Sequence, residues 1–194
     1  MAGIAVTPSL TVRMLRAAKL DKGLYNEVEA DTTATTQALS VVVSVAIASG
    51  ISFAITDATG GGGVGSIAGA LIFGVLGALI GWAVQSAFIY WVGTRLFSGT
   101  TTYGEVLRTL GFAQSPGVLY LFTCIPVLGG LIAVVAFFWT LACDFVAIRE
   151  TLDLDIGRTI ATIIVAIIAF AIVFWILTTI FVVLGIGAVG LLSR

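Results

Sequence analysis

The sequence predicts an all-α membrane protein: a bundle of five transmembrane helices, with the N-terminus cytoplasmic and the C-terminus outside. Three observations lead there. First, 59% of the 194 residues are hydrophobic and only 10% are charged. Soluble domains carry roughly a quarter charged residues, so most of this surface must face lipid. Second, several apolar runs are as long as a bilayer is thick. Third, the cations sort to one side when those runs are threaded through a membrane.

Residues 1–33 form a cytoplasmic N-terminal segment with Arg13, Arg16, Lys19 and Lys22 but no apolar signal-peptide core. Its apolar residues, Leu10, Met14, Leu15, Leu20 and Leu24, make no clean helical stripe. The segment is suited either to an anionic leaflet or to a soluble partner. Residues 34–194 make the membrane domain. About 20 apolar residues at 1.5 Å each cross a hydrocarbon layer of about 30 Å. Span one covers about 36–56, with Thr32 or Thr33 of "DTTATTQA" as its cap. "DATGGGG" (57–63) then breaks the chain. Span two covers about 65–93, with Gln85 as its one strongly polar side chain. Spans four and five cover about 128–148 and 159–184, the fourth interrupted by Asp144. Glycines 185, 187 and 190 mark the end of the fifth.

The segment 105–124 is ambiguous, because Arg108, Gln114 and Pro116 interrupt its apolar character. Charge decides it. If the segment crosses, Arg13, Arg16, Lys19, Lys22, Arg95, Arg108, Arg149 and Arg158 fall inside and only Arg194 falls outside. That is the positive-inside distribution. If it does not cross, Arg149 and Arg158 move outside. Five spans follow, with Arg108 snorkelling to the inner interface and "TCIPVLGG" (123–130) turning the chain outside.

Small residues recur four apart in span two, at Gly65/Gly69, Ala70/Gly74/Ala78 and Gly77/Gly81. Such ridges let helices approach closely in lipid. This places span two centrally, its ridge (Gly65, Gly69, Gly74, Gly77, Gly81) used for packing within the bundle or for a dimer interface. "GGGGVG" (60–65) matches a dinucleotide fingerprint only trivially, with no strand before it, and reads as an outer loop.

Asp144 is the most deeply placed charge. It reads either as a proton or cation site, with Gln114 and Gln85 as the other intramembrane polar contacts, or as an ion-pair partner of Arg108, Arg95 or Arg149. Arg95, Arg108, Arg149 and Arg158 form a candidate cationic cluster at the inner face. With no histidine in the chain, His-based triads and His-ligated metal sites are absent. Cys124 and Cys143 lack the usual activating partner and read as buried apolar side chains. Neither a catalytic set nor a cofactor is expected. A net charge of −1 gives nucleic acid no basic face.

Three stretches resemble bacterial Yip1-family membrane proteins: "LYNEVEADTTATTQAL", "WVGTRLFSGTTTYGEVLRTLGFAQSPGVL" and "AIRETLDLDIGRTIAT". The resemblance implies a five-helix Yip1 domain with a cytoplasmic N-terminus in a bacterial inner membrane, and no defined activity. Eukaryotic relatives bind Rab-type GTPases, but this chain lacks their long cytosolic extension and "DLYGP"-like motif. The expected function is a scaffold or accessory subunit, touching lipids and other membrane subunits or itself. The alternatives are a small transporter or channel for a proton, ion or small molecule, or a lipid-handling protein.

Overall fold

The computed structural model describes residues 8–60 and 64–192, without side-chain surroundings at 64–67, 70, 174, 177, 178 and 180–192. Most of the glycine loop expected outside, Gly61 to Gly63, and the terminal Arg194 lie outside the described residues. Within them the chain forms seven α-helices and one 3-10 helix: α1 (Leu10–Ala18), α2 (Lys22–Ala30), α3 (Ala34–Thr59), α4 (Val64–Leu96), α5 (Tyr103–Ala113), the 3-10 helix (Ser115–Cys124), α6 (Gly129–Thr151) and α7 (Ile156–Leu192). No strand occurs among the described residues.

Among the described residues, four stretches are long and apolar enough to cross a membrane: α3, Leu71–Leu96 of α4, α6, and Ile156–Val173 of α7. Their mean hydropathies are 2.2, 1.9, 2.3 and 2.4. The segment expected as a third span is not one continuous helix. It is α-helical to Ala113 and 3-10 from Ser115. Pro116 is the physical reason, since it has no N–H to continue the α-helical ladder onto Phe112. The freed Phe112 carbonyl accepts instead from Ser115 Oγ at 2.6 Å. The next turn closes with Gly117 N–H to the Gln114 carbonyl at 2.8 Å.

The broken segment is nonetheless an inner element of the bundle. The 3-10 helix lies between α3 and α6, and α5 packs on α2, α3, α4 and α6. Two glycines make this possible. A Cβ at Gly111 would sit 2.7 Å from Ala38 Cβ and 3.2 Å from the Trp82 ring. A Cβ at Gly117 would sit 2.7 Å from Val45 Cγ1. Trp82 Nε1 donates to the Leu107 carbonyl at 3.0 Å, and Ser52 and Thr123 share a hydroxyl bond of 2.7 Å. Thr102 and Glu105 begin α5 with a reciprocal capping box, so Glu105 caps its own helix instead of pairing with Arg108.

The N-terminal segment is ordered against the rest of the chain. It is two helices docked on the bundle, with Ala17, Leu24, Tyr25 and Val28 buried in the common core. Asp21 separates them and caps α2 through Gly23 N–H. Trp139 Nε1 of α6 donates to the Ala18 carbonyl at 2.7 Å. The expected threonine cap of α3 is replaced: Thr33 makes no side-chain cap bond, and Asp31 accepts from the Thr33 N–H and hydroxyl.

Candidate functional site

The cations of the N-terminal helices are spent within the protein. Arg13, 2% exposed, donates to Glu27 at 2.8 Å, Asp31 at 2.9 Å and Gln37 at 2.9 Å. Arg16 pairs with Asp21 and Glu27, each at 2.7 Å. The Arg16 hydrogen bond holds Asp21 below the usual carboxylate range. Burial of Glu27 opposes its ionisation, yet the Arg16 and Arg13 bonds hold it low as well. Local sequence spacing could not find the Arg13 pairs, because Glu27 and Asp31 stand 14 and 18 residues from it.

The four arginines expected as an inner-face cluster do not act alike. Arg108 is 7% exposed and donates from Nε to the Val28 carbonyl at 3.0 Å and from its terminal nitrogen to the Glu29 carbonyl. These are carbonyls of the last turn of α2, so Arg108 caps that helix where a cation also meets the negative end of its dipole. Arg158 pairs with Asp155 at 3.4 Å, Arg95 is exposed and Arg149 is half-buried. Close to Arg108, burial together with Glu105 and Asp153 pushes the Glu29 carboxyl up to about 7, with Arg108 opposing.

The polar groups singled out in the spans line two cavities. One, of about 330 Å³ between α4, α6 and α7, is lined by Gly81, Gln85, Phe88, Asp144, Ile163 and Phe170 among others. Asp144 faces the Gln85 amide there, and its Oδ1 is buried without a hydrogen-bond partner. No ion pair with Arg95, Arg108 or Arg149 forms among the described residues. The second, of about 530 Å³, is lined from α3 by Val45, Ser49 and Phe53, from α4 by Gly74 and Gly81, and by Gln114. Gln85 and Gly81 border both cavities, so Gln85 joins the surroundings of Asp144 and Gln114, which do not meet.

The small-residue ridge is placed unlike the packing glycines. Span two is central, since α4 packs on α3, α5 and α7. Yet a Cβ at Gly69, Gly74, Gly77 or Gly81 would meet nothing within 4 Å. The surroundings of Gly65 lie outside the described residues. Neighbouring Phe73 is 75% exposed and Ile80 64%. Close approach of α4 to other elements runs instead through Gly50, whose added Cβ would meet Leu71, and Gly93, whose added Cβ would meet Leu152.

Cys124 and Cys143 are free thiols, and the described residues hold no group of three metal-ligating side chains. No curated protein and no solved structure matches the chain. The Yip1 domain matches residues 25–192, which takes in the whole apolar bundle and most of α2. The chain therefore belongs to the Yip1 domain family, and is a multi-pass membrane protein.

Proposed function

We propose that this protein is a non-catalytic subunit or scaffold of a membrane assembly, built to receive a helix of another subunit or of a second copy. The observation that carries this reading is the open ridge of α4. Four glycines lie along a groove or an apolar surface with space where side chains would stand. In lipid, association depends on packing and close backbone approach, and small-residue faces supply both.

The reading includes five crossings of a bacterial inner membrane, with the N-terminal helices on the cytoplasmic side. Two considerations support it. An α-helix of 11 residues followed by a 3-10 helix of 10 rises about 36 Å at ~1.5 and ~2.0 Å per residue, enough for hydrocarbon about 30 Å thick. Five crossings also put eight of the nine cations on one side. Single cysteines at Val127 and Asp153, in a chain lacking Cys124 and Cys143, test the topology. Membrane-impermeant labelling of intact cells is expected at Val127 only.

The assembly itself is tested by solubilising membranes in mild detergent and sizing the native chain beside Gly77→Leu. The native chain is expected in a larger species, and the variant as a folded monomer. A native chain that runs as a free monomer at every detergent strength overturns the proposal.

A further inference from the structure

We infer that the cavity between α4, α6 and α7 is a binding site for an organic ammonium carried on an apolar body. It goes beyond the assembly role and does not depend on it. The cavity has one anionic group, Asp144, with Oδ1 buried and unpartnered. A carboxylate in apolar surroundings is unfavourable without a counter-charge, and the ion pairs of the described residues all use other acids. No cation of the described residues supplies that counter-charge, which leaves the carboxylate open to a cation that enters the cavity.

The rest of the lining narrows its class. Gln85, hydrogen-bonded to the Asp144 carboxyl, has an amide oxygen able to accept from a second N–H. One carboxylate and one amide fall far short of the six to eight oxygens of a calcium site or the octahedron of magnesium, which excludes a bare divalent ion. Phe88 and Phe170, in edge-to-face contact at 5.9 Å, line the same cavity. Aromatic rings attract organic cations through their faces and pack on an apolar body. Ile163 and Ala166 continue the apolar wall, and Ile167, 59% exposed, brings the rim to the lipid-facing surface. An amphiphile therefore enters sideways from the bilayer. At about 330 Å³ the cavity is at the lower end of small-molecule sites, which suits a headgroup with a short length of chain.

The same chemistry is offered by an aminophospholipid headgroup and by a free lipophilic amine. The test uses the full-length protein in dodecyl maltoside, which carries no ammonium, and equilibrium dialysis of labelled 4-phenylbutylammonium against 4-phenylbutanol. The ammonium is expected to bind saturably and at least tenfold more tightly than the alcohol. Asp144→Asn, which keeps the side chain's shape, is expected to abolish that preference, and Gln85→Leu to weaken it. Asp153→Asn, on an exposed turn, is expected to leave it unchanged. An unaltered melting temperature certifies that each variant is folded. Competition by added phosphatidylethanolamine, but not phosphatidylglycerol, assigns the lipid headgroup as occupant. Absence of competition assigns the free amine, and the ammonium site stands in both cases. Equal binding of amine and alcohol, or full binding by folded Asp144→Asn, overturns the inference.

Discussion

The half of the bundle around α5 and the half around α4's ridge and α7 are made of similar residues and finished differently. Around α5, the space beside Gly111 and Gly117 is filled by Ala38, Trp82 and Val45, and Arg13 and Arg108 each donate to acceptors within the chain. On the other side, four ridge glycines border empty space. The buried side-chain oxygens left without a partner among the described residues are Thr162 on α7 and Thr140, Asp144 and Thr151 on α6, a helix that packs on both α5 and α7. The closed half, around α5, fills the space beside its own glycines. The open half, around the ridge, leaves the space beside its glycines open. A glycine pattern alone therefore does not say whether a helix packs inside its own bundle, and the neighbours of each absent Cβ do.

Loss of Arg108 should break the closed half most severely. Arg108→Met keeps the apolar stem but leaves the last carbonyls of α2 uncapped. Each bond from a charged donor contributes about 1.5–3 kcal/mol, so destabilisation of about 3 kcal/mol or more is expected in thermal melts, with faster proteolysis of residues 10–30. Unchanged protection would mean that the N-terminal helices are held by Leu24, Tyr25 and Val28 alone. Gly111→Ala comes next. Its new methyl meets Ala38 and the Trp82 ring, and overpacking of this kind costs about 1–3 kcal/mol. A melting temperature equal to the native one would show that α3 and α5 can separate freely.

A smaller effect concerns pH. Glu29 titrates near 7 in the docked state against a usual value of 4.5, so docked α2 binds its proton more tightly than the released segment does. Docking therefore weakens as pH rises from about 4.5 to about 7 and levels off above. The lowered carboxyls of Asp21, Glu27 and Asp31 act in the opposite sense, losing their contribution as pH falls below the usual carboxylate range. Docking should be tightest near pH 5. Amide exchange of residues 22–30, corrected for its intrinsic pH dependence, is expected to be slower at pH 5 than at pH 8 by a few-fold. Glu29→Gln should flatten that difference.

The two halves were unequally legible in the sequence. Four apolar helices are plain, because hydropathy is local and additive along the chain. The ridge of α4 is equally plain as a spacing, but its use depends on which face the neighbours occupy. Pro116 marks a break, whereas the rescue of the Phe112 carbonyl by Ser115 and the run of 3-10 turns depend on the packing of α3 and α6. The N-terminal helices were the least legible. Arg13 and Arg108 look like interfacial cations, and only the folded chain brings Arg13 to Glu27 and Asp31, and Arg108 to the end of α2. Asp144 stands out as a charge among apolar residues, but its cavity needs Gln85 from α4 and Phe170 from α7.

The mildest substitution separates the two halves most sharply. Gly77→Ala adds a methyl into open space and replaces glycine by the best helix former, a gain of up to about 1 kcal/mol in an ordinary helix interior. Melts of the detergent-solubilised monomer should therefore be unchanged or slightly raised, opposite in sign to Gly111→Ala. In native membranes the same methyl lies on the proposed contact, where one carbon is enough to hold two backbones apart. The larger species seen in mild detergent should weaken while the monomer does not. If the monomer melts earlier, α4 has an internal neighbour at this face and the distinction between the halves fails. If monomer and assembly are both untouched, the partner helix docks elsewhere on the open half, and the same pair of measurements on Gly74→Ala and Gly81→Ala will find where along α4 it does.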